Sequence, residues 1–126
     1  MLSPAIPYAQ FAGALKVHTP PTAGQLMTLT APSGEMEQGL AIPTSFGGGN
    51  AAPSSAGDSN TITFGAVRID LSSDAATITV GGVTMVISGS GVAITGGRVT
   101  HNGTDIGDTH RHGGVDRGSS ATDPPE

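Results

Sequence analysis

Between residues 61 and 99 one pattern recurs: a short run of alternating apolar and polar side chains, then a few small turn residues. Ile62 and Phe64 share one parity, as do Val67, Ile69 and Leu71, with Arg68 and Asp70 opposite. Ala76, Ile78 and Val80 follow, with Thr77 and Thr79 opposite; then come Val83, Met85 and Ile87, then Val92 and Ile94, then Val99. Successive side chains of a strand point to opposite faces, so each run reads as a half-buried β-strand. Turn residues separate the runs at Gly65, at Ser72, Ser73 and Asp74, at Gly81 and Gly82, at Gly89, Ser90 and Gly91, and at Gly96 and Gly97. A repeat of roughly 7 to 10 residues is too short for a helical repeat unit.

Such a chain must find somewhere to bury its apolar faces, and composition narrows the choice. Gly and Pro supply 20 and 9 of the 126 residues. The aromatics are Tyr8, Phe11, Phe46 and Phe64, and there is no Trp. A monomeric core of this size normally uses several large side chains, which bury the most area each. A β-sandwich is the plain alternative for many short alternating strands. The scarcity of large side chains counts against it. A trimeric β-helix or prism fits better, because its narrow interior suits Val, Ile, Ala and Met. Neighbouring chains would also cover the strand edges. The expected fold is all-β: a homotrimeric, intertwined β-helical or prism shaft.

Upstream, residues 25–30 and 38–43 read as two strands, the second closed by Pro43, with turn residues Pro32, Ser33 and Gly34 between them. Residues 8–17 suit a short helix or a strand equally. Residues 47–60 are rich in Gly, Ser, Ala and Pro and read as a linker. The expected organisation is an N-terminal piece over 1–46, the linker, a shaft over 61–107, and a tip and tail over 108–126.

Charge and residue usage exclude several functions. The net charge is −5, with five basic residues in the whole chain, which makes no phosphate-binding face. No nucleic-acid partner is expected. Without cysteine there are no disulfides, thiolate metal sites or thiol nucleophiles. No apolar run approaches the ~20 residues of a membrane-spanning helix, and no secretory signal is evident. Gly47, Gly48 and Gly49 lack the lysine and the strand–loop–helix context of a phosphate loop.

The candidate chemistry lies at His110 and His112. In an extended segment these project to one side, with Arg111 opposite. A single pair is too small a ligand set for a tight site, and two solvated loop histidines are the plain alternative. Three copies about a threefold axis would offer six imidazoles. Six ligands do not suit the four-coordinate geometry of structural zinc, but imidazole suits first-row ions such as iron or nickel. His101 has strand spacing from Val99 and either faces the axis as a second polar layer or faces outward. His18 precedes Pro20 and Pro21 in a loop and is assigned no role.

Catalysis is not expected. Asp105, Asp108 and Asp116 flank the histidines, and Ser119 and Ser120 come after them. A hydrolytic metal needs an open position for water, which six histidines would fill. A Ser-His-Asp site needs a packed pocket, and a tapered tip is expected to offer no concavity. The aspartates read better as turn formers or as partners that orient imidazole N–H groups.

The run from Asn102 through His110-Arg111-His112-Gly113-Gly114 to Val115, ending in Ser119 to Pro125, resembles the tip of the central spike proteins of contractile phage tails, the baseplate assembly protein V family. In that family a His-x-His motif is followed by glycines and a Gly/Ser/Thr/Pro-rich end. The resemblance covers 98–125 most closely, extends upstream over the strands of 61–107, and is thin before 48. It implies a trimeric spike whose tip holds one iron per trimer through six histidines. Carried onto this chain, the ligands are His110 and His112. It implies a structural rather than enzymatic role at the distal baseplate of a virion, with the hub and tail-tube proteins as partners and the host outer membrane pierced during sheath contraction. Residues 25–43 resemble the later part of the family's N-terminal OB barrel. Family members carry a complete barrel, whereas a five-stranded one barely fits before this linker, so a small, reduced or partial OB-like barrel is expected. The spike of a type VI secretion system or a tailocin is the nearest alternative. A β-helical adhesin fibre tip and a metal-dependent hydrolase represent other classes.

Overall fold

The computed structural model describes residues 5–47, 49–114 and 118. It is all-β, with antiparallel sheets and almost no helix. The chain divides into two compact units, Met1–Ile62 and Thr63–Glu126.

In the first unit, β1 (Phe11–Ala12) and β2 (Lys16–Val17) form a minimal hairpin, so residues 8–17 take the extended alternative. Strands β3 (Leu26–Thr30) and β4 (Leu40–Ser45) pair antiparallel, joined through two single-turn 3-10 segments, Pro32–Gly34 and Met36–Gln38. Pro43 does not close β4 as expected. The register shifts between Leu26 and Met27, and Pro43 sits beside that irregularity, where a missing N–H is tolerated. On its other edge β4 meets residues 7–9: Ala41 N–H donates to the Pro7 carbonyl (2.9 Å) and Ala9 N–H to the Ala41 carbonyl (2.8 Å). Among the described residues none of the sheets closes into a barrel, and the strands of the first unit form an open arrangement. Only β3 and β4 are long enough to build a ladder, and two strands cannot wrap around a core. Gly47 and Asn50, in the expected linker, close a tight turn by exchanging backbone hydrogen bonds (2.9 and 3.0 Å).

The regular repeat becomes a five-stranded meander in sequence order: β5 (Asn60–Phe64), β6 (Val67–Leu71), β7 (Ala75–Val80), β8 (Val83–Ser88) and β9 (Gly91–Thr95). The five runs expected from Ile62 to Ile94 are all present as strands, whereas Val99 lies in none. Two-residue turns pair Val80 with Val83 and Ser88 with Gly91. The register then aligns side chains of one parity into transverse rows. Val67, Val80 and Val83 form one row; Ile69, Ile78, Met85 and Ile94 a second; Leu71, Ala76, Ile87 and Val92 a third. Residues opposite one another across strands share a face, so all three rows lie on the same side. The other side carries Arg68, Thr79, Thr84 and Thr95 in one row and Asp70, Thr77, Val86 and Ala93 in the next. There Arg68 grips Asp70 through two N–H donors, Nε at 2.6 Å and Nη2 at 2.9 Å.

Within its own unit, no second layer among the described residues covers the apolar side. No hydrophobic side chain is buried among the described residues, and Ile78, in the middle row, is 37% exposed. A single-layer sheet has two faces and no interior, so the alternation that makes the strands leaves their apolar side in water.

At the far end of the meander, Gly96 and Gly97 turn the chain out of the sheet. Both have positive φ (76° and 67°). A Cβ on Gly96 would collide with the Gly82 carbonyl, and one on Gly97 would lie 2.7 Å from Val83 Cγ2. Only glycine fits this corner. No helix among the described residues is long and apolar enough to cross a membrane.

Candidate metal centre

The tip begins with a small hairpin of β10 (Thr100–His101) and β11 (Thr104–Asp105). Its turn is Asn102-Gly103, both with positive φ (48° and 81°), the dipeptide favoured in two-residue hairpins. Ile106 N–H donates to the Val99 carbonyl (2.8 Å) and extends the pairing by one step.

Asp105 then organises the loop that leads to the histidines. Its Oδ1 accepts the Gly107 N–H (2.9 Å), and its Oδ2 accepts the Thr109 hydroxyl (2.6 Å). An aspartate bonded to the backbone two residues on makes a local turn. Inside that turn the Gly107 carbonyl accepts the His110 backbone N–H (3.3 Å) and lies 2.5 Å from His110 Nδ1. The His110 and His112 rings are exposed and meet edge-on, with centroids 5.0 Å apart and planes at 80°. The expected same-side projection of i and i+2 is what the rings display.

A carbonyl oxygen only accepts, so the His110 ring must donate from Nδ1. Its remaining lone pair is therefore on Nε2, the arrangement found in metal-ligating histidines. Two neighbouring exposed imidazoles, one with its outer nitrogen free, are donors of the kind a first-row metal takes. Within one chain, no group of three or more His, Asp or Glu side chains that could hold a metal occurs among the described residues.

The other candidates separate from this pair. His101 is exposed in the hairpin opposite Thr104. His18 is exposed in the first unit. Asp116, Ser119, Ser120 and the tail that carries the end of the family resemblance lie outside the described residues. Asp105 proves a turn former, and a backbone carbonyl, not an aspartate, orients the His110 ring. An open hollow of about 560 Å³ lies between the end of the meander and the tip loop, walled in part by Ile94, Arg98, Asp105, Asp108 and Thr109. It forms because the glycine corner bends the chain away from β9. Neither His110 nor His112 lines it.

The Asp105 carboxyl is held below the usual carboxylate range, first by the Thr109 hydroxyl, then by the Gly107 N–H, with a smaller contribution from the charge of His110 and partial opposition from desolvation. A carboxyl with a depressed folded pKa contributes stability above its unfolded pKa of about 4 and loses it as pH falls through the folded value. The Gly107 amide and Thr109 resonances of the intact protein should therefore titrate with a midpoint below that of a free aspartate. A midpoint at or above about 4 would contradict the two-pronged grip.

No protein-family model matches this chain, and no curated protein matches it in sequence.

Proposed function

We propose that this chain is the central spike of a contractile phage tail, a homotrimer that caps the tail tube and is driven through the host outer membrane. The observation that carries this reading is the uncovered apolar face of the β5–β9 meander. A face of three aligned rows of Val, Ile, Leu, Ala and Met needs a partner surface of the same chemistry and spacing. Three copies turned toward one axis supply it, and each sheet's open edges, β5 and β9, then find partners in neighbouring copies. The side chains are already partly shielded, so closing the prism gains on the order of 10 kcal/mol per chain. The threonine-rich side with its Arg68–Asp70 pair faces water.

The same axis brings three copies of His110 and His112 together. Six imidazoles would hold one iron, as the resemblance to the spike family implies, and the metal would supply a crosslink with no open position for water. Chain ends fray, and a piercing point is the place where fraying costs most. A metal that binds only the assembled tip stabilises it by mass action. The N-terminal unit, with its open β3–β4 pair, would dock on the hub and tail tube.

Metal analysis combined with mass measurement of the purified protein tests this reading. The expected result is a trimer carrying about one iron per three chains. A trimer without metal, or one metal per chain, would overturn the shared tip.

A further inference from the structure

We infer that Asp105 is a positioning residue that fixes the His110 ring in its Nδ1–H tautomer, by holding the Gly107 carbonyl against it, and so commits Nε2 as the metal-binding atom. This rests on the metal reading above, yet concerns an arrangement already present in the single chain.

The links are short and consecutive. Asp105 is anchored from behind, because β11 pairs it with Thr100 and the next residue bonds back to Val99. From that anchor its two oxygens take hold of the loop at two points, the Gly107 N–H and the Thr109 hydroxyl. Those points bracket Asp108, so the loop between them has little freedom left. The Gly107 carbonyl belongs to the 107–108 peptide, which lies between the two anchored points, and it lies 2.5 Å from His110 Nδ1. Gly107 itself leaves little room for variation, since an added Cβ would lie 3.3 Å from Asp105 Oδ1.

Tautomer matters because the ring protonated on Nε2 offers its lone pair on the inner nitrogen, against the loop. Three copies of that tautomer would point N–H groups at the axis in place of donors. A carbonyl on the inner nitrogen removes that alternative before any metal arrives and raises the basicity of the outer one. The ordering cost is met by the fold of the tip loop.

The test uses the full-length chain labelled with nitrogen-15, stripped with a chelator, above the pH at which imidazoles titrate. The expected spectrum shows His110 with a protonated Nδ1 and a bare Nε2. In Asp105→Ala the ring should become a mixture of tautomers, and iron should leave the reloaded protein to a chelator about 10- to 100-fold more readily. Thr109→Val, which removes one of the two anchors without touching either histidine, should shift both readouts in the same direction by less. Wild-type His110 protonated on Nε2 would overturn the inference, as would an Asp105→Ala protein with unchanged tautomer and unchanged iron release. The two readings fail separately. A locked Nδ1–H ring in a protein that never binds metal would uphold the positioning role and sink the metal centre. A metal-loaded protein with the opposite tautomer would do the reverse.

Discussion

Ile78→Asp should abolish the proposed trimer, leaving a chain that is unfolded or aggregated. Ile78 lies in the middle apolar row, paired with Ile69 on one side and Met85 on the other. In the proposed prism three copies of it approach one axis. The substitution removes the burial of a large aliphatic side chain, worth ~2–3 kcal/mol. It also places a carboxylate with no partner in that interior, at several kcal/mol each. Across three chains the loss is on the order of 20 kcal/mol, beyond the ~5–15 kcal/mol by which folded domains are stable. The adjacent Thr79→Asp supplies the control. Thr79 is on the other side of the same strand, opposite Arg68, so an aspartate there should leave the trimer intact. Analytical sedimentation of both variants reads the result directly. Equal tolerance of aspartate at the two positions would show that the apolar side is not an interface. A wild-type chain sedimenting as a folded monomer at low concentration would show the same.

The meander was legible because two independent signals coincide in it. Alternation of period two marks the strands, and glycine pairs such as Gly81-Gly82 set turns of defined length, which also fix the register of Val80 against Val83. The N-terminal unit lacks that redundancy. Residues 11–12 and 16–17 form strands too short to show a period. Pro43, a strand terminator by its own chemistry, is accommodated beside a register shift, where Thr44 is the extra residue of its own strand between the pairs Leu26–Ser45 and Met27–Pro43. Near the tip, the Asn102-Gly103 turn did carry a readable hairpin signal, masked by the shortness of its two-residue strands. The His110–His112 pair was visible in its spacing. The group that orients His110 was not, because it is a backbone carbonyl placed by a turn, and no side-chain type at position 107 announces it. The hollow beside the tip escaped for a similar reason, as it arises from the direction the chain takes after Gly96 and Gly97.

The second large effect concerns metal and stability together. Replacing both histidines, His110→Ala with His112→Ala, should remove bound iron completely while leaving the trimer assembled. The reason is a separation of roles along the chain. The apolar rows end at Val92 and Ile94, and a glycine corner and a hairpin intervene before the first histidine of the pair, so the proposed shaft would close without the tip. Both rings are exposed, so truncating them opens no cavity in the meander. What the double variant should lose is the mass-action contribution of the metal, about 3–4 kcal/mol for an ion present at roughly 100 to 1,000 times its dissociation constant. Thermal unfolding of the wild type should then depend on added iron and chelator, and that of the variant on neither. Proteolysis should divide along the same line, with cleavage near residues 107–114 becoming faster while the β5–β9 core of the trimer persists. Loss of the trimer in the double variant would mean that the apolar rows are insufficient and that the metal holds the chains together. Retention of iron would place the ligands elsewhere on the chain.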